Sequence, residues 1–147
     1  MKAHLAQMRT GWQNENFARY VLSKFSFVSH PATVADDIGS DFFCTTFQTV
    51  SENRHDYLLP KNSFAIQIKS SKRPFLISHK LEYLRNLEIP FLVGVCNQNT
   101  SEVELYSGEY LIPFFVDVKS CEAVEVKLCA RDNEGEIYHE DGKGKFI

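Results

Sequence analysis

The run Phe64-Ala65-Ile66-Gln67-Ile68-Lys69-Ser70-Ser71 sets an amide and an ammonium two residues apart in a segment that alternates like a strand. Side chains two apart on a strand share a face. Gln67 and Lys69 therefore point one way, with Phe64, Ile66 and Ile68 on the other. A second strand-like run, Asp41-Phe42-Phe43-Cys44-Thr45-Thr46-Phe47, lies upstream and is opened by Asp36-Asp37-Ile38-Gly39-Ser40. An acid at the start of one strand and a Q-x-K on the next could together hold a divalent metal beside a lysine. The donors would be the Asp41 carboxylate, the Gln67 amide oxygen and the main-chain carbonyl of Ile68, with Glu15 reaching in from a first helix. Magnesium takes such oxygen ligands while keeping several waters. A bound divalent ion lowers the pKa of its water, orients it and neutralises charge on phosphate oxygens. Lys69 would position or deprotonate the attacking water, or stabilise the developing charge. This is chemistry suited to hydrolysing a phosphodiester.

The elements that must position these groups can be read from periodicity. Gln7 to Lys24 is predicted helical, with Trp12, Phe17, Tyr20, Val21 and Leu22 at roughly helical spacing and Glu15 and Arg19 as an i, i+4 pair. Phe25 to Ser29 reads as a short strand ended by His30-Pro31, and Asp36 to Ser40 as a turn. Asp41 to about Val50 is a strand rich in aromatic and β-branched residues. Ser51 to Asn62 is polar and holds Pro60, which predicts a long hairpin loop before the Phe64–Ser71 strand. Ile77 to Leu87 follows as a helix, with Ser78 as its cap and Leu81, Leu84 and Leu87 in an apolar stripe. Phe91 to Cys96 is a continuous apolar run of the kind found in strands covered on both faces. Val103 to Tyr106 and Val124 to Leu128 are further strands, Gly108 to Val118 is ambiguous, and the tail from Arg131 is turn-rich or a hairpin. The expected fold class is α/β, a mixed central sheet flanked by helices in the order α-β-β-β-α-β-β. The unit from Phe64 to Cys96 should be a parallel, right-handed crossover.

The totals bound the reading. The chain has 147 residues, most simply one domain, with a core of about 7–106 and a C-terminal extension of about 107–147. No apolar run approaches the ~20 residues a membrane helix needs. The N-terminus lacks a signal-peptide pattern, so a cytoplasmic address and no membrane partner are expected. Cys44, Cys96, Cys121 and Cys129 are scattered without metal-ligand spacing, which predicts reduced, mostly buried thiols. Net charge is −3, which counts against a nucleic-acid binder unless charge is clustered. Lys69, Lys72, Arg73 and Lys80 form such a cluster, which Arg54 and Lys61 could extend, while Glu134, Glu136, Glu140 and Asp141 concentrate the acids near the C-terminus. Lys72, Arg73 and Lys80 are the expected nucleic-acid contacts.

Taken singly, each candidate has a bland reading. The Gln67–Lys69 strand is a half-buried strand with a solvated face, Asp41 a turn residue, and Glu15 an exposed helix acid paired with Arg19. Asp36 and Asp37 are most simply solvated loop acids. His30, His55, His79 and His139 have no ligand-spaced partner, and no Gly-rich phosphate loop or cysteine-nucleophile signature is present. The abundant aromatics are core, with Tyr57 a loop aromatic that could stack on a base. What favours the sharper reading is that acid, acid and Q-x-K fall on the right elements in the right succession.

In that succession the chain resembles the PD-(D/E)XK nuclease superfamily, closest to its restriction-endonuclease-like and Holliday-junction-resolvase-like branches. The likeness spans roughly Gly11 to Tyr106 and rests on short motifs: Glu15 on a helix, Ile38-Gly39-Ser40-Asp41, then Gln67-Ile68-Lys69-Ser70-Ser71. The resemblance implies that Asp41, Gln67, Lys69 and Glu15 are catalytic. It implies that Asp41, Gln67, Glu15 and the Ile68 carbonyl bind Mg2+ (or Mn2+), and that the partner is double-stranded or branched DNA, cut by a homodimer. Gln67 stands where the family usually has an acid, which removes a negative charge from the metal shell. The expected function is a metal-dependent DNA endonuclease of a repair, restriction or mobile-element system. The alternative is a catalytically degenerate domain of the same fold acting in nucleic-acid binding or protein assembly. A plain interaction protein using its acidic tail is a third reading.

Overall fold

The computed structural model describes residues 2–31, 39–52, 54–77, 81–111, 123–129 and 143–146. A long helix α1 (Lys2–Leu22) leads into β1 (Ser26–Ser29), β2 (Phe42–Glu52), β3 (His55–Lys69) and β4 (Phe75–Ile77). Then follow a short helix α2 (Leu81–Arg85), β5 (Phe91–Asn97), β6 (Glu102–Ser107), a 3-10 turn at Glu109–Leu111, β7 (Val124–Cys129) and β8 (Lys143–Phe146). The strands form one mixed sheet in the order β1-β2-β3-β5-β6-β8-β7-β4. The architecture is thus α/β, a mixed sheet with few helices. No helix among the described residues is long and apolar enough to cross a membrane.

Alternation along the central strands divides the core in two. Phe42, Cys44, Phe64, Ile66 and Cys96 pack with Ala18 and Leu22 of α1 on one face. Ala65, Val93, Val95 and Tyr106 pack with Leu81 and Leu84 of α2 and with Ile77, Val124 and Val126 on the other. β5 supplies both clusters, which is why its apolar run is continuous. Gly94 at its centre is a packing requirement. A Cβ there would lie 2.9 Å from the Ile68 Cδ1 and 3.1 Å from that of Ile66. β3 and β5 run parallel, with Gln67 beside Val93 and Lys69 beside Val95.

Several local expectations are corrected by long-range pairing. The aromatics Trp12 and Tyr20 of α1 are 67% and 63% exposed, while the buried stripe is Asn14, Ala18 and Leu22. The segment Ser51–Asn62 is not a long loop. It is the distal half of a β2–β3 hairpin, turning at Arg54 with φ 67°. Pro60 is accommodated opposite Phe47, beside a register shift between Thr45 and Phe47. Among the described residues no other strand flanks this part of β3, so the missing N–H disturbs no second ladder there. Tyr57, expected in a loop, therefore lies on a strand. The helix expected over Ile77 to Leu87 is described over Leu81–Arg85, and Ile77 itself lies in a strand because Phe75–Ile77 pairs with Val124–Val126. The helix's expected cap, Ser78, lies outside the described residues, as does His79. β8 runs parallel to β7 and antiparallel to β6, and most of the tail expected to be turn-rich or a hairpin lies outside the described residues.

Candidate functional site

The site is built where β2 begins. Gly39 adopts φ 98°, a left-handed conformation that suits glycine, and turns the chain into the strand. Ser40 is buried and accepts a hydrogen bond from the Tyr83 hydroxyl of α2 at 3.4 Å. Asp41 follows with its main-chain N–H donating to the Ile66 carbonyl at 2.8 Å. Its side chain then turns onto the neighbouring strand, where the Ile68 N–H donates to Asp41 Oδ2 at 2.5 Å. A carboxylate stands in for the missing main-chain partner of β2, and so is oriented by the backbone of the Gln67–Lys69 segment itself.

Two consequences follow from strand geometry. Phe42 pairs with Ile66 and Phe43 with Ala65, and Asp41, just before the paired residues, sends its own N–H to the same Ile66 carbonyl. Gln67 and Lys69 share the face of Ala65, on the side of the sheet opposite α1. In an extended strand the N–H and C=O of one residue point to the same side. Because the Ile68 N–H faces Asp41, the Ile68 carbonyl faces that edge too.

Glu15 enters from α1, on the other face of the sheet. Its carboxyl is pushed above the ordinary carboxylate range, first by burial and then by the negative charge of Asp41. Arg19, its expected partner, is exposed and takes no part in that shift. A second negative charge within electrostatic reach favours the protonated form of a partly buried carboxyl. The structure thus brings Asp41 to β3 and couples Glu15 to Asp41. The Lys69 ammonium lies 4.3 Å from the centroid of the Phe75 ring, a cation–π contact that anchors it at the start of β4.

The basic cluster is treated less uniformly. Lys72 is tied to Glu104 at 2.7 Å, and the Tyr106 hydroxyl donates to the same carboxylate at 2.9 Å. This pairing draws the Glu104 carboxyl below its ordinary value and raises the Lys72 ammonium. Of the adjacent cations Lys72 and Arg73, the first is therefore already neutralised. Arg73 is exposed, whereas Lys80, Asp36, Asp37 and His139 lie outside the described residues. Among the described residues no group of three or more His, Cys, Asp or Glu side chains is placed to hold a metal.

Two features escape a reading of the sequence. Asn14, 4% exposed, accepts through Oδ1 a hydrogen bond from Gln98 Nε2 at 2.6 Å. Its spacing to Ala18 and Leu22 is the available signal, whereas Gln98, in a turn, carries none. The Lys72–Glu104–Tyr106 set also crosses from the end of β3 to β6, beyond the reach of any local pattern. No family model, curated protein or solved structure matches the chain.

Proposed function

We propose that this chain is a metal-dependent endonuclease hydrolysing phosphodiester bonds in DNA, on a restriction-endonuclease-like arrangement of its sheet. The observation that carries the reading is the Asp41 carboxylate locked onto the Ile68 amide, inside the Q-x-K segment, with the Glu15 carboxyl sensing its charge. The donors fit a hard divalent cation: two carboxylates in mutual repulsion, an amide oxygen and a main-chain carbonyl, all oxygen. Asp41, Glu15, Gln67 and the Ile68 carbonyl would hold Mg2+ or Mn2+. Such an ion, when bound, supplies an acidified water and charge neutralisation at phosphate. Asp41 is kept in one orientation by the backbone, Gln67 contributes no charge, and Lys69 acts on the attacking water or the developing negative charge. Arg73 approaches the phosphate backbone from the exposed segment after β3. The cytoplasmic setting, the repair, restriction or mobile-element context and the homodimer belong to the same proposal through the family resemblance.

One observation favours a second reading, a catalytically degenerate domain of the same fold that binds nucleic acid. Gln67 leaves only Asp41 and Glu15 as anionic donors, and no third such side chain joins them among the described residues. The two readings separate in a cleavage assay on plasmid and branched DNA with Mg2+ or Mn2+. The endonuclease reading expects nicking by wild type and a loss of about 100-fold or more in Asp41→Ala and Lys69→Ala. Equal activity in all three proteins would place the chemistry elsewhere. Salt-sensitive binding without cleavage, with activity gained in Gln67→Glu, would establish the degenerate reading.

A further inference from the structure

A cavity of about 350 Å3 opens at the C-terminal ends of β3 and β5. Its lining includes Asn14 of α1, Ser70, Ser71 and Lys72 after β3, and Asn97 and Gln98 at the end of β5. Chain connectivity sets it against the candidate site at three points. Asn14 precedes Glu15, Ser70 follows Lys69, and Val95 in the cavity wall is the register partner of Lys69.

The chemistry of the wall differs from that of the site. Lys72 is engaged by Glu104 at 2.7 Å, so the cation on this wall is paired with an anion on the same wall. The remaining polar groups named are amides and hydroxyls, which suit a neutral, hydrogen-bonding occupant better than a phosphate. Asn14 and Gln98 are held side by side, with Asn14 Oδ1 and one Gln98 N–H used on each other. Asn14 Nδ2 and Gln98 Oε1 are then a neighbouring donor and acceptor. A side-chain amide reads the edge of a base through an adjacent donor and acceptor; here the pair is supplied by two amides instead of one. The volume is at the lower end of small-ligand sites, suited to one base.

We infer that this cavity receives a single unpaired nucleobase, next to the phosphate that Lys69, and a divalent cation held by Glu15 and Asp41, would engage. The substrate is then a nucleic acid with an unpaired nucleotide at the cutting site, not a continuous duplex. The inference rests on the endonuclease reading for that neighbouring phosphate.

The test is fluorescence anisotropy in Ca2+ with three labelled DNAs: a continuous duplex, the same duplex with one bulged nucleotide, and that bulge with its base removed. Wild type is compared with Gln98→Ala, which changes an exposed side chain. The expected result is about tenfold tighter binding of the intact bulge, the scale of one bidentate amide–base contact. That advantage should vanish on base removal or in Gln98→Ala, with the two losses not adding. Equal affinity for intact and base-less bulges, or an equal loss on all three DNAs in Gln98→Ala, overturns the inference. Cleavage of the same DNAs in Mg2+ separates the two proposals. Discrimination of the base without cleavage sinks the endonuclease reading alone, cleavage without discrimination sinks the cavity alone, and binding of none of the DNAs overturns both.

Discussion

Replacing Asp41 by alanine removes the acceptor of the Ile68 N–H, a part-buried hydrogen bond of 2.5 Å. A hydrogen bond to a charged group contributes about 1.5–3 kcal/mol, and the amide left behind is only partly able to reach water. Relief of the repulsion between Asp41 and Glu15 works in the opposite direction. The net expectation for Asp41→Ala is a loss of about 1–2 kcal/mol, or roughly 3–8 °C in Tm for a chain of this size. Asp41→Asn keeps an acceptor of the same shape and should regain most of that loss, while deleting the charge. The Glu15 carboxyl, raised by burial and by Asp41, should then titrate closer to its ordinary value. The sign of the pH effect follows. A carboxyl raised in the folded state binds its proton more tightly there than in the unfolded chain. Its stabilising contribution is complete below the unfolded value and is lost as pH rises through the raised folded value. In Asp41→Asn that window narrows and the loss shrinks. Thermal unfolding of the three proteins across acid to neutral pH, with an NMR titration of Glu15, measures both quantities. Equal Tm values for wild type and Asp41→Ala, or a Glu15 titration unmoved in Asp41→Asn, would refute the site geometry whatever the activity.

Further outcomes follow from single contacts. Arg73→Ala should weaken DNA binding and lower the salt slope by about 1, whereas Lys72→Ala should change it less because its ammonium is paired with Glu104. Burial pushes the Cys44 and Cys96 thiols up to about 11. Iodoacetamide at a mildly alkaline pH of about 8 should therefore leave both unmodified in the native protein and label both after unfolding, as read by peptide mass spectrometry. A Cβ on Gly108 would lie 2.6 Å from the Phe91 carbonyl oxygen, so Gly108→Ala should destabilise by about 1–3 kcal/mol in denaturant titration. Gly11→Ala, in α1 with nothing within 4 Å of the added methyl, should instead stabilise by about 0.5–1 kcal/mol.

The alternation around Gln67 and Lys69, the doubly covered run Phe91–Cys96 and the parallel relation of the two strands are legible because each is a property of a few consecutive residues. Period-2 and period-3.6 patterns report which side of an element is apolar, and they place Glu15 on a helix and Asp41 at a strand's entrance. They do not report what the element will meet. Trp12 and Tyr20 have the spacing of core residues and face outward, whereas Asn14 is buried because Gln98, far along the chain, satisfies its amide. Pro60 has the mark of a loop breaker and sits in a strand because β2 pairs it beside a bulge. Phe75–Ile77 is an edge strand only because β7 is there to receive it. The same holds for the site. Sequence alone determined which residue types could do chemistry and on which elements they ride. Tertiary structure decided that Asp41 is held by the Ile68 amide, that Glu15 feels its charge, and that Lys72 is spent on Glu104. Hydrogen bonds and charges act over a few ångströms of space, and which groups come that close is settled by the pairing of strands distant in sequence.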